Sequence, residues 1–317
     1  MRKTMGLLAV LVLPVEAWAD EGGASVWLPG QFASFASVPG DPGFSLETLV
    51  YVRSASATAG ASFSRGGGVL AGLSINEQYV YLTPSYTLET PVLNGQLALA
   101  VTFSAGQSGA GVWGVLTGPG GRSLSSGSSD SAAGISDLYP MASLKWQAGV
   151  HNAMVYVMGS VPTGSYDPNR LAGVGLGHGA IDWGLGYTFL PASGFEASLT
   201  AGLTYNFINP QTRYQSGVDG HIDAGVSYSF NDSLYAGAVG YLYKQLSPDT
   251  GGSVRLGDFR SSVAGAGPQV GWSYASGTLG FDVNVRGYKE FAAQNRPEGW
   301  NAYLTVSVGR VPRRKAD

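Results

Sequence analysis

His151, His178 and His221 are the only histidines among 317 residues, and the chain has no cysteine. Thiol nucleophiles, thiolate metal sites and disulfides are therefore excluded together. His221 and Asp223 stand two residues apart, on one face of a strand, where an acid orients an imidazole acting as general base toward a serine. No G-x-S-x-G or other nucleophile motif accompanies the pair, so a structural hydrogen bond is the expected role and catalysis is not. Three scattered histidines make a poor metal site, and neither metal nor cofactor is expected.

A larger set of ionisable side chains falls on the polar phase of alternating segments: Glu47, Arg53, Lys145, Asp182, Glu196, His221, Asp223, Lys244, Arg260, Asp282, Arg286 and Glu290. Both signs are present, which suits either a polar constriction that selects solutes or an internal ion-pair network that fills a closed sheet. Tyr79, Tyr81, Met154, Tyr156, Met158 and Tyr303 share the inward phase and offer flat and thioether surfaces to a hydrophobic solute, or to a packed segment of the chain itself. The run Ser165–Gly179 contains G-x-G-x-G-x-G but lacks the Gly-Lys-Ser/Thr ending of a phosphate loop. It reads as a structured loop in which Asp167, Asn169 and Arg170 bond to one another.

The elements that position these groups are strands. Phe195, Ala197, Leu199, Ala201, Leu203, Tyr205 and Phe207 alternate with Glu196, Ser198, Thr200, Thr204 and Asn206. Leu97–Phe103, Leu279–Val285 and Ala302–Val308 show the same period of two, and about twelve such segments follow residue 43. Charged residues are 12% of the chain, against roughly 25% in soluble domains. Connections alternate between short turns (Thr90–Asn94, Gly149–Asn152, Pro191–Gly194, Asn231–Ser233, Ser276–Gly277) and long ones (Ala57–Ile75, Gly118–Ser131, Thr163–Gly177, Asn209–Ser216, Ser247–Asp258, Ala292–Glu298). Trp146, Phe189, Phe195, Phe230, Tyr235, Tyr274 and Phe281 cluster beside the short turns, as in a girdle at a lipid–water boundary. The expected fold is all-β: an antiparallel up-and-down transmembrane barrel of about twelve strands over residues 44–310. Pro84, Pro140 and Pro268 lie inside strands and mark candidate breaks in pairing, through which a solute would leave sideways.

Residues 1–19 read as a secretory signal: Arg2 and Lys3, the apolar run Met5–Pro14 and the site Ala17-Trp18-Ala19. Residues 20–43 do not alternate. The segment is either a periplasmic tail or a plug folded into the barrel mouth; Trp27, Phe32 and Phe35 would be poorly placed in water, which favours the plug. Residues 311–317 form a polar tail. The formal charge of −3 gives no basic patch for nucleic acid.

Several stretches carry a family resemblance: "EGGASVWLPGQFASFASVPGDPG", "SDLYPMASLKW", "PTGSYDPNRLAGVGLGHGAIDWGLGYTFL", "YQSGVDGHIDAGVSYSF" and "RLGDFRSSVAGAGPQVG". In this order they resemble the outer-membrane proteins grouped as the MetA-pathway phenol-degradation (SphA-like) transporter family. The resemblance implies a monomeric, porin-like channel of the Gram-negative outer membrane, surrounded by lipid and inserted by the barrel assembly machinery. It also implies passive uptake of aromatic or hydrophobic compounds without an enzymatic step. The alternative is a non-conducting surface barrel that presents its loops to partners. A filled interior favours that reading, and an open path favours transport.

Overall fold

The computed structural model describes residues 25–64, 66–251 and 260–310. The expected signal segment, residues 20–24 and the tail 311–317 lie outside them. The described residues form fifteen strands: β1 (Gly43–Ser62), β2 (Gly68–Thr87), β3 (Gln96–Thr117), β4 (Ser123–Ile135), β5 (Tyr139–Ala148), β6 (His151–Ser160), β7 (Ala180–Phe189), β8 (Phe195–Asn206), β9 (Tyr214–Gln215), β10 (Asp219–Ser229), β11 (Leu234–Gln245), β12 (Thr250–Gly251), β13 (Ser262–Ser276), β14 (Leu279–Gln294) and β15 (Glu298–Arg310). Two-residue β9 and β12 pair only with each other. The other thirteen close one antiparallel sheet, sealed where β1 pairs with both β2 and β15. β4 and β5 both pair with β3, β4 along Ala105–Thr117 and β5 along Gln96–Thr102, so they occupy one position of the ring. The barrel therefore has twelve strand positions.

Alternation follows from the two solvents. On β8 the outward side chains Phe195, Leu199, Leu203 and Tyr205 are exposed, while Glu196, Ser198, Thr200, Thr204 and Asn206 are buried. Closure leaves no backbone edge to hydrocarbon, which an open sheet could not avoid. Aromatics fringe the outward surface near the short turns (Tyr86, Tyr187, Tyr228, Tyr274) and again toward the long-loop end (Trp183, Tyr205, Trp300). Tyr235 is the exception to the expected girdle: it is buried in the lumen, with its ring centroid 5.1 Å from that of Phe35.

Two of the expected long loops are strands. Ala57–Ile75 and Gly118–Ser131 belong mainly to extended hairpins, in which β1 and β2 pair up to Ser62↔Gly68 and β3 and β4 up to Thr117↔Ser123. Their Gly, Ser and Ala residues are solvated on both faces, so no apolar phase marks them as strands. Among the described residues β4 has no strand partner on its far edge, because pairing toward β6 begins only at the Leu138↔Val161 bridge. The connection Thr163–Gly177 lies against that edge. Each strand proline interrupts pairing on one side: β2–β3 between Leu82 and Ser85, β13–β14 between Ala266 and Gln269, and β5–β6 beyond Met141. Pairing resumes in the same register each time, and the Thr83 and Thr102 hydroxyls bridge the first gap at 2.9 Å. The breaks are local weaknesses in a continuous wall.

Because Leu199 is an outward position near the middle of β8 and 51% exposed, Leu199→Arg should lower stability in bilayers by about 2–4 kcal/mol. Urea unfolding from phospholipid vesicles measures it, and an unchanged midpoint would contradict the outward assignment.

Candidate functional site

The lumen is organised around residues 25–42, which run inside the barrel from the long-loop half toward the short-turn rim and lead into β1. Trp27 is fully buried with its ring parallel to those of His221 at 4.4 Å and Tyr243 at 6.1 Å, which are paired across β10 and β11. Phe32 packs on Tyr156 with centroids 4.9 Å apart. Trp27 shares its apolar cluster with Tyr51, Tyr241, Tyr288 and Tyr303.

Charged side chains of the wall hold the backbone of this plug. Asp223 accepts from Trp27 Nε1 (3.1 Å), Gly30 N (3.1 Å) and Phe32 N (3.3 Å). Arg286 donates to the Gly30 and Gln31 carbonyls, both at 3.3 Å, and lies 4.3 Å from the Tyr303 ring centroid. Glu196 accepts from Phe35 N (3.0 Å) and Ser227 Oγ (2.8 Å), and Ser198 Oγ donates to it. Tyr303 Oη donates to the Pro29 carbonyl, and Lys145 Nζ donates to that of Val38 at 3.3 Å. This segment is a run of turns and bends whose own bonds are few, Gln31 N to Leu28 O and Val38 N to Phe35 O among them, so these groups supply partners that its other buried N–H and C=O groups require.

The wall is carved to fit. A Cβ at Gly225 would meet Ser34 backbone nitrogen at 2.8 Å, and one at Gly186 would meet Ser37 Oγ at 2.5 Å. Gly30 has φ +86° and lies against the Tyr288 ring, where both the backbone angle and the space demand glycine. Phe35 takes φ 64° with a full side chain. That costs on the order of 1–2 kcal/mol, and its amide bonds and the Tyr235 contact hold it there.

The plug is held chiefly from β8, β10 and β14, with further contacts from β5, β6 and β15, and it leaves part of the lumen open. There a cavity of about 780 Å³ occupies the short-turn half, lined by Glu47, Tyr81, Lys145, Met154, Met158 and Asp282 among others. A second, of about 540 Å³, occupies the long-loop half beneath Tyr166–Leu176, lined by Tyr51, Arg53, Glu77, Tyr79, Tyr81 and Arg296 among others. Ser25, Leu28, Tyr81 and Tyr139 border both cavities.

Ten of the twelve ionisable positions face the lumen, where they do different things. Asp223, Glu196, Arg286 and Lys145 bind the plug. Arg53 pairs with Glu77 at 3.3 Å and lies 3.5 Å from Glu290. His221 Nε2 is 2.8 Å from Asp182 Oδ2, which also accepts from Thr204 Oγ1 at 2.6 Å. Asp182, not Asp223, is therefore the acid beside His221. Glu47 and Asp282 line the lower cavity and accept from Ser307 and Ser273. Lys244 and Arg260 do not enter the lumen. Tyr241, Tyr243 and Gln245 take the inward phase of β11 to pack the plug, which turns Lys244 outward and exposed at the rim. Arg260 sits exposed outside any strand, donating to the Leu246 carbonyl at 2.9 Å. Among the inward aromatic and thioether groups, Tyr79, Tyr81, Met154 and Met158 line the cavities, whereas Tyr156 and Tyr303 pack on the plug. Tyr51, Tyr139, Tyr241 and Tyr288 join them in the lumen without standing out in the sequence. Their signal is the tyrosine phase itself, as at Tyr241 and Tyr243.

The loop over the outer cavity is clasped to the β4–β5 strand. Asp137, fully buried between the two, accepts from Gly164 N and Leu176 N, both at 2.8 Å. Asp167 and Asn169 bond within the loop, but the Arg170 side chain reaches out to Asp130 at 2.6 Å. That part of β4 is polar on both faces and stands above the apolar belt. The Arg170 guanidinium, helped by the Ala172 and Ser131 amides, holds the Asp130 carboxyl well below the usual carboxylate range. A depressed carboxyl keeps its contribution above its ordinary range and loses it only in strong acid, so the clasp persists at neutral pH.

Asp223→Ala removes three bonds to a carboxylate at about 1.5–3 kcal/mol each, less than additive, so on the order of 3–5 kcal/mol of plug anchoring is lost. Limited proteolysis of the intact barrel should then cleave within residues 25–42 far faster than in the wild type. Equal resistance would mean that the plug is held mainly by packing.

The family model described as putative MetA-pathway of phenol degradation matches residues 53–306 of this chain. None of the curated proteins matches it in sequence. Among solved structures, an outer membrane channel from Pseudomonas putida F1 is similar with a TM-score of 0.69, 12% identity and coverage of 88% of this chain and 100% of that one. A Pseudomonas aeruginosa FadL homologue gives 0.43 at 11% identity, covering 92% and 96%. At 12% identity the first likeness speaks to fold, and it agrees with the twelve-position barrel. The match over residues 53–306 speaks to kinship: the chain belongs to the family of the putative MetA-pathway of phenol degradation.

Proposed function

We propose that this protein is a passive channel of the outer membrane for small aromatic or otherwise hydrophobic compounds. The apolar outward belt with aromatic fringes supports residence in a bilayer, with the short turns in the periplasm and the long loops outside. The observation that carries the reading is the common wall of the two cavities. Ser25, Leu28, Tyr81 and Tyr139 border both, and we read the two as one route from beneath the external loop to the periplasmic rim, narrowed by two tyrosine rings and a leucine. Beyond it the route meets Met154 and Met158. Aromatic and thioether surfaces attract flat apolar solutes and offer few partners to a hydrated sugar. The route is axial and does not use the proline positions.

The Pseudomonas putida protein of similar fold is an outer membrane channel, and the family description refers to phenol degradation; both agree with this reading. A non-conducting surface barrel is the competing outcome. In liposomes carrying the purified protein, a hydroxylated aromatic, corrected for passage through empty liposomes, should enter faster than a sugar of similar size. Tyr81→Ala with Tyr139→Ala should admit both and erase the preference. Equal entry in the wild type would indicate a general pore, and entry of neither would favour the surface role.

A further inference from the structure

We infer that the outer cavity holds a carboxylate-binding subsite formed by Arg53 and Arg296, so that aromatic acids are taken up in preference to neutral aromatics. This deepens the reading as a channel for aromatic compounds and rests on it.

Both guanidinium groups border the cavity beneath the external loop. Arg53 is only 6% exposed, yet it makes one hydrogen bond, from Nη1 to Glu77 Oε2 at 3.3 Å. Its Nε and Nη2 have no hydrogen-bond partner. Nη2 lies 3.5 Å from Glu290 Oε1, near enough for charge attraction but without hydrogen-bond geometry. Glu290 is itself satisfied from elsewhere, by Tyr241 Oη at 3.0 Å and Gly299 N at 2.9 Å. Arg296 rests its guanidinium 4.9 Å from the Tyr243 ring centroid and leaves a buried Nε unpartnered. Buried N–H groups of a cation left without acceptors are costly, and a ligand oxygen would relieve that cost.

The ion pairs of the lining single out one cation. Arg53 is shared by Glu77 and Glu290, and Arg170 is paired with Asp130. Arg296 has no ion pair among the described residues, so an anion entering the cavity meets it as the uncompensated cation of this wall. Guanidinium forks match a carboxylate in plane and spacing better than a single hydroxyl does. Beside the arginines stand Tyr51, Tyr79 and Tyr81, with Ile75 and Leu28, an apolar surface for the ring that carries the acid. The ligand class that uses both halves is a small aromatic monocarboxylate.

Benzoate and benzamide, matched in size but not in charge, test this by calorimetric titration of the full-length mature protein in lipid nanodiscs. Benzoate should bind at least about tenfold tighter, as charge-assisted bonds to two arginines imply. Arg296→Gln should remove most of that preference and leave benzamide unchanged. Arg53→Lys, which keeps a cation beside Glu77 and Glu290, should weaken benzoate binding while the barrel still folds. Equal binding of the two probes, binding of neither, or an undiminished preference in both variants would overturn the subsite. The liposome entry of a neutral aromatic is read separately. If it persists while the benzoate preference is absent, the subsite fails and the channel stands.

Discussion

The interaction on which the rest of this structure depends is the grip of three buried polar side chains, Asp223, Glu196 and Arg286, on the backbone of residues 27–35. A membrane barrel must turn its charges inward, because hydrocarbon will not hold them. Inside, the same charges are costly unless hydrogen-bonded. Residues 27–35 form turns and bends outside any sheet ladder, and so present N–H and C=O groups that need partners. Each side answers the need of the other. Asp223 takes three donors from the plug, and Arg286 finds two of its carbonyls.

That grip is uneven, and it leaves space beside the plug. The three anchors sit on β8, β10 and β14, and the glycine recesses that admit the plug sit on β7 and β10. The space left over forms two cavities with a common border of Ser25, Leu28, Tyr81 and Tyr139. A lumen narrow enough to be filled is instead divided, half solid and half lined by rings and thioethers. Different residues line the two halves: Tyr156 and Tyr303 belong to the solid half, Tyr79 and Tyr81 to the open one.

Much of the fold is legible in the sequence because lipid and lumen impose opposite chemistry on alternate residues. β8 is the clearest case, with Phe, Leu and Tyr outside and Glu, Ser and Thr inside. Where one of the two solvents is missing, the signal fails. The extended parts of β1–β4 meet water on both faces, so their serines and glycines read as loop. Lys244 reads as inward when apolar residues are expected to face lipid, yet Tyr241 and Tyr243 face an apolar plug inside the barrel. Arg260 lies outside any strand, where no period assigns a side. Arg296, in a three-residue turn between β14 and β15, carries no periodic signal, and only the folded geometry brings it to the cavity that Arg53 borders.

The plug precedes β1 in the chain, and β1 is half of the seam that closes the barrel. Trp27 meets Asp223 across a sequence separation of 196 residues, and the Arg286 contact with Gly30 spans 256. Contacts so distant along the chain form late and slowly. A ring already sealed between β1 and β15 would have to draw Trp27, Phe32 and Phe35 in past its rim. Docking on the open wall of β8, β10 and β14 before the last seam forms avoids that passage. The same anchors fix the approach to β1 beside its place against β15, so the segment that fills the barrel also tethers one strand of its seam.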